Sequence, residues 1–197
     1  GNNTLYAWAA AGAANIVETS GSAVGTALAP SASGNRNAIT LADFRSAAAI
    51  LDGQDLNPGD ERFAIIPAAL YWQLMGDTAI QKHLEWGGSA VSPTGKLPMV
   101  AGIKLIQRSS VVVYDNTGTP VIKSVNDEGT PSSPASTDNL GCLVISSSYV
   151  SRAMGAINVY TNDNDPQYFG DIMSVSVAYG AAKMRTNAEG IVSIVQQ

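Results

Sequence analysis

The sequence is poor in the residues that catalytic and metal chemistry use. It holds one cysteine, Cys142, and one histidine, His83. A single cysteine excludes a disulfide within the chain and any site built on several thiolates, zinc and iron–sulfur sites included. A single histidine excludes every site that needs two imidazoles, such as H-E-x-x-H. Charge is scarce too. Asp, Glu, Lys and Arg make up 14% of the residues, where soluble domains carry about 25%. The net charge is −5, and the basic residues are scattered rather than set in a stripe that could follow a phosphate backbone. No apolar run approaches the ~20 residues a membrane helix requires. The longest, around residues 7–17, is broken by Gly12 and Asn15 and has no basic leader. The phosphate-binding patterns G-x-x-x-x-G-K-[ST] and G-x-G-x-x-G do not occur, nor does the G-x-S-x-G nucleophile elbow.

What is present is 197 residues with an ordinary apolar fraction of 45%, enough for one good domain or two small ones without staples. Residues 1–37 are low in complexity and almost uncharged, and are expected to form a flexible or extended N-terminal arm with a short helix near residues 5–14. Thr40 with Asp43 makes a T-x-x-D start, and Leu41, Phe44, Ala48 and Leu51 follow at helical spacing before Asp52-Gly53 ends the helix. Residues 62–66 read as a short buried strand. Pro67 then opens a helix whose apolar face is Leu70, Tyr71, Leu74 and Met75, and a second short helix is expected to run to about Glu85. A loop from Gly87 to Pro98 is followed by β-like runs at 100–106 and 110–114. Residues 115–139 form the most loop-like segment, punctuated by Gly118, Gly129, Pro131 and Pro134.

Residues 140–145 read as a buried strand, 147–154 as a short helix, 157–160 as a strand and 162–165 as an acidic turn. From Phe169 the chain alternates. Met173, Val175, Val177 and Tyr179 point one way, while Ile172, Ser174, Ser176 and Ala178 point the other. Gly180 permits a bend, residues 187–190 are expected to make a hairpin turn, and 191–195 close the chain as a strand. Helices and strands are mixed without a βαβ rhythm, so the predicted class is α+β with a mixed sheet and a few short helices.

Candidate chemistry is thin. Cys142 and His83 form the only conceivable Cys–His dyad, and a Ser–His–Asp triad would also need His83. His83 sits at a charged helix end and Cys142 in a core strand, where a cysteine behaves as a small hydrophobe. Asp163, Asp165 and Asp171 make an acidic group, but Gln167 and Tyr168 break the calcium-loop pattern, and a solvated turn is expected. Trp8, Trp72 and Trp86 read as core or interface packing. No catalytic, cofactor or metal site is expected. The residues of flat, contact-ready surfaces (Ser, Thr, Asn, Gly and Ala) are abundant instead.

Several motifs in order resemble tailed-bacteriophage major capsid proteins. Thr40-Leu41, Leu51-Asp52, Pro58, Arg62, Ile65-Ile66-Pro67, Tyr71 and Leu74 resemble the middle of that family. Leu97-Pro98 and the stretch from Gly102 to Ser109 continue the likeness. Asp165, Tyr168-Phe169-Gly170-Asp171, Tyr179-Gly180-Ala181, Arg185 and Gly190-Ile191-Val192 are similar to its ending. Together they cover about residues 38–197. The resemblance implies the Hong Kong 97 type coat fold, with an axial-type domain at about 61–160 and a peripheral-type remainder. It implies a structural role without catalysis, in which copies join as pentamers and hexamers into an icosahedral shell around the genome. It implies partners that are other copies of the chain, with scaffolding and portal proteins, packaged DNA only indirectly and no membrane. It also implies location in the virion after assembly in the bacterial cytoplasm. Arg62, Asp171 and Arg185 are the candidate assembly contacts, together with the 115–139 loop. No long extended loop precedes Thr40, and the chain opens on Gly1, so the expectation is a chain whose N-terminal region has been removed and which is a monomer or weak oligomer in solution. Two alternatives stay open: a secreted or surface β-rich binding module of adhesin type, and a bacterial encapsulin-type shell protein.

Overall fold

The computed structural model describes residues 2–9, 13–57, 59–85, 97, 99–115, 117–126, 130–165, 167 and 170–197, with the backbone alone for 82–85 and 164–165. In chain order the elements are α1 (Asn2–Trp8), a 3-10 turn (Ala13–Asn15), β1 (Ile16–Glu18), β2 (Ala23–Val24), β3 (Arg36–Asn37), α2 (Leu41–Gly53), β4 (Arg62–Pro67), α3 (Ala68–Met75), α4 (Thr78–Glu85), β5 (Met99–Val100), β6 (Ile103–Arg108), β7 (Val112–Asp115), β8 (Val121–Ile122), β9 (Asp138–Ser146), a 3-10 turn (Ser147–Tyr149), β10 (Val150–Asp165), β11 (Gly170–Lys183) and β12 (Ile191–Val195).

The body is a mixed sheet in the order β1-β12-β9-β4-β6-β5, with β7 and β8 joined through β9. β1 runs parallel to β12 and β4 parallel to β6; the other pairs are antiparallel. β9 is buried along its whole length because both faces of the sheet are covered. Alternate residues of each strand therefore enter two different cores. Ala64, Ile66, Cys142, Val144, Val192 and Ile194 meet Phe44, Leu51, Leu70 and Leu74 of α2 and α3. Ile65, Leu143, Ile145, Ile191 and Val195 face the other way and meet Leu5 and Ala9 of the N-terminal segment. The class is α+β, as predicted.

The capped helix is where the sequence places it. The Asp43 carboxylate is buried and accepts hydrogen bonds from the Thr40 amide (2.7 Å) and hydroxyl (3.0 Å). Its other oxygen accepts from the Ser20 amide (3.1 Å) and hydroxyl (2.6 Å). One carboxylate thus caps α2 and pins the preceding segment to it.

The segment read as a flexible or extended arm packs on the body where it is described, and four other sequence readings are corrected. β1 completes one sheet edge, α1 covers one sheet face, and Asn37 donates to the Gln197 carbonyl at 2.8 Å. Little side-chain apolarity is needed there, because backbone pairing with β12 supplies the hydrogen bonds. The 100–106 run is two strands, divided at Ala101 and Gly102, which adopt φ of 48° and 77°. Residues 147–154 are a 3-10 turn followed by strand rather than a helix, and the acidic turn at 162–165 lies inside β10. Pairing with β11 overrides the weak local helical pattern. The turn before β12 does not close a hairpin with β11, since β12 pairs with β9 and β1.

Within 115–139, the described parts are tied down. β8 pairs with β7, and the Lys123 ammonium lies 2.6 Å from the buried Asp138 carboxylate while also donating to the Ser133 carbonyl at 2.5 Å.

Candidate assembly surface

β10 and β11 are 16 and 14 residues long, and they pair with each other rather than with the body sheet. Strand alternation gives this two-stranded ribbon two distinct faces. One carries the cross-strand pairs Met154 with Tyr179, Ile157 with Val177, Val159 with Val175 and Thr161 with Met173. The other carries Asn158 with Ser176 and Tyr160 with Ser174. The first face is apolar and lies open: Met173 is 72% exposed, Met154 65% and even Val177 46%. Isolated exposed hydrophobes are ordinary, but an ordered row of them on one face marks a contact surface. A register shift between Met154 and Ile157 places a bulge at Gly155 and Ala156, which sharpens the local twist.

The root of the ribbon is held by Tyr149. Its hydroxyl accepts from the Asn57 amide at 3.2 Å, and its carbonyl accepts from the Met184 amide at 3.0 Å. The Arg185 guanidinium sits 5.0 Å above its ring and pairs with Glu189. That pairing holds the guanidinium pKa above its ordinary value, chiefly through the hydrogen bond to Glu189. On the other side, the Trp8 indole donates to the Ser151 carbonyl at 3.0 Å.

The three residues expected from sequence as assembly contacts are not brought together. Arg62 begins β4 in the body and forms an exposed ion pair with Asp52 at 2.6 Å. Arg185 belongs to the ribbon root. Asp171 lies near the ribbon tip, about 40 Å along the strand from the root at ~3.3 Å per residue. The sequence shows the alternation of Met173, Val175, Val177 and Tyr179 and a strand at 157–160, but not that the two pair, nor that the second strand begins at Val150, within the stretch that reads as helix.

Among the described residues no cluster of reactive side chains is assembled. Cys142 is completely buried, and burial alone pushes its thiol pKa far up, so the thiolate a nucleophile needs is not formed. The side chains of His83, Asp165, Trp86, Tyr168 and Phe169 lie outside the described residues, as does the loop 86–96. Among the described residues no group of His, Cys, Asp and Glu could hold a metal ion, and no helix is long and apolar enough to cross a membrane. An apolar cleft of about 410 Å³ opens beside Tyr6, Pro67, Val111, Pro131 and Leu140, and none of the described residues that line it is ionisable apart from Tyr6.

A mixed sheet covered by short helices and carrying a long two-stranded ribbon matches the fold of phage capsid proteins. Solved structures bear this out. The chain superimposes on the capsid of Helicobacter pylori bacteriophage KHP30 with a TM-score of 0.62 at 10% identity, covering 98% of this chain and 64% of that one. The head structure of Helicobacter pylori bacteriophage KHP40 gives 0.58 at 11% identity, with the same coverage. The capsid of cyanophage Pam1 gives 0.53 at 12% identity, covering 80% of this chain and 46% of that one. The chain thus spans somewhat less than two thirds of the length of the capsid chains it resembles. No protein-family model matches the sequence, and no curated protein sequence does so.

Proposed function

We propose that the chain is a structural subunit of a bacteriophage icosahedral capsid. In this reading copies assemble through pentamers and hexamers into a shell that encloses the genome, inside the bacterial cytoplasm, and remain in the virion. The observation that carries the reading is the likeness in fold to phage capsids over 98% of the chain. The open apolar ribbon face supports it, because such a surface fits contact with further protein. The role needs no catalysis. Scaffolding and portal proteins are the further partners, and DNA is enclosed rather than bound.

In the same reading the axial-type unit is about residues 61–160, and the remainder with the closing strands is the peripheral-type unit. Arg62, Asp171 and Arg185 act as orienting contacts. The exposed Arg62–Asp52 pair contributes at most about 1 kcal/mol to the fold, which leaves Arg62 available to a neighbour.

The test is to purify DNA-filled particles from the producing bacterium and identify their dominant protein by mass spectrometry. Peptides of this chain should make up the main shell band. Their absence from DNA-filled particles would overturn the reading, and their presence in shells loaded with protein cargo would favour the encapsulin-type alternative.

A further inference from the structure

The apolar face of the ribbon ends in opposite charges. From root to tip, its cross-strand rows are Val150 with Lys183, Arg152 with Ala181, Met154 with Tyr179, Ile157 with Val177, Val159 with Val175 and Thr161 with Met173. Two residues beyond the last row, alternation along β11 keeps Asp171 on the same side, while a second register shift between Asn162 and Asp165 interrupts the alternation of β10. Two cations thus lie at the root, the Asp171 carboxylate at the tip, and only uncharged residues in the rows between them. We infer that this face docks on the same face of a second copy, the two ribbons stacked antiparallel about a two-fold axis.

Charge selects the direction. Antiparallel stacking lays the Asp171 carboxylate of each ribbon over the Arg152 and Lys183 end of its mate, whereas parallel stacking sets like charges against one another. A two-fold axis makes each contact occur twice, which a self-complementary face requires. Shape agrees with charge. β-Branched residues fill the middle rows, Met and Tyr the outer ones, so two copies meet flat in the centre and interlock at the ends. Both ribbons share the right-handed twist that lets stacked sheets align.

The size of the face sets the strength. From Lys183 to Asp171 is about 40 Å, and two strands make a surface about 10 Å wide, so roughly 400 Å² per copy is covered. The pair then buries about 800 Å², below the ~1,200 Å² of a stable standard interface. Two isolated chains associate weakly, and firm attachment comes from many such contacts acting together. The inference rests on the reading that copies of this chain assemble, and it names the surface they use.

Sedimentation equilibrium of the 197-residue chain at low salt, from about 10 μM to about 1 mM, tests it. A reversible dimer should appear across that range. Asp171→Lys and Arg152→Asp should each weaken it about tenfold. The double variant Asp171→Lys/Arg152→Asp should recover part of the loss, because the pair between position 152 and position 171 of the mate is restored with its signs exchanged. Val175→Glu should abolish association, while Tyr160→Glu on the opposite face should leave it unchanged; circular dichroism confirms that each variant is folded. A strictly monomeric chain, a Val175→Glu variant that associates like the parent, or a double variant weaker than both single ones would overturn the inference. So would a face that binds lipid vesicles or a separate polypeptide in place of its own copy. If shells form normally from Val175→Glu chains, the docking face is wrong and the subunit reading survives. Absence of the chain from DNA-filled particles defeats that reading by a separate route.

Discussion

Replacing Gly190 by alanine tests how the ribbon is fastened to the body. Gly190 adopts φ +79°, in the left-handed region, where a Cβ costs about 1–2 kcal/mol. A methyl group there would also lie 2.5 Å from Cγ and 2.6 Å from Cβ of Tyr149. Neither partner is free to move. The Gly190 amide donates to the Gln54 side chain at 2.7 Å, and its carbonyl accepts from the Ser146 amide at 2.8 Å. Tyr149 is held by Asn57, Met184 and Arg185. Such overpacking costs a further 1–3 kcal/mol, roughly. Gly190→Ala should therefore destabilise by about 3 kcal/mol and lower Tm by about 6–12 °C in a chain of this size. Urea unfolding reads the change as a shift in midpoint at constant m. Gly180→Ala is the control, since a Cβ there meets nothing within 4 Å, and it should be neutral or stabilising by up to about 1 kcal/mol. Adding Tyr149→Ala should recover part of the Gly190→Ala loss, with a coupling of about 1–2 kcal/mol. A Gly190→Ala midpoint equal to the parent's would refute the reasoning, and additivity in the double variant would assign the whole cost to backbone strain.

Cys142 should resist a thiol reagent in the native state and react only on unfolding. Because burial raises its folded pKa above the unfolded value, its contribution is complete below about pH 8.5 and lost as pH rises beyond it, by up to ~1.4 kcal/mol per unit. Urea midpoints of the parent should therefore fall between about pH 8.5 and 10 more steeply than those of Cys142→Ala, and equal slopes would count against it. Lys123→Ala leaves the carboxylate of Asp138, 1% exposed, without its cation and should cost about 3–5 kcal/mol. Arg62→Ala breaks an exposed pair and should cost under about 1 kcal/mol in the same melts. Equal losses at the two positions would show that burial does not control these pairs.

Much of the body was legible from residue order. The Thr40–Asp43 cap, the apolar spacing of Phe44 and Leu51, and Pro67 ahead of Leu70 and Leu74 are local signals, and local hydrogen bonding and periodicity are sufficient to read them. Strand β9 was legible as an unbroken apolar run, because both of its faces are covered. The N-terminal segment was not. Its small residues carry no periodic signal, and its place in the fold comes from backbone pairing to β12 and from Leu5 and Ala9 reaching a sheet face assembled by distant strands. Residues 147–154 were misread for the same reason, since the hydrogen bonds that make them strand come from residues around 180.

The candidate site divides along the same line. By itself the sequence determined that the chain holds one cysteine, one histidine and few charges, which excludes sites built on several thiolates or two imidazoles. The order of its motifs also pointed to a coat-protein fold. It further determined the alternation of Met173, Val175, Val177 and Tyr179, because a period of two is a property of the strand alone. Only the tertiary structure decided that this apolar face pairs with Met154, Ile157 and Val159, lies exposed, and carries cations at its root and Asp171 at its tip. Alternation says that a face is apolar. Whether that face is buried at home or left for a partner depends on which distant segments cover it, and the described residues leave it open.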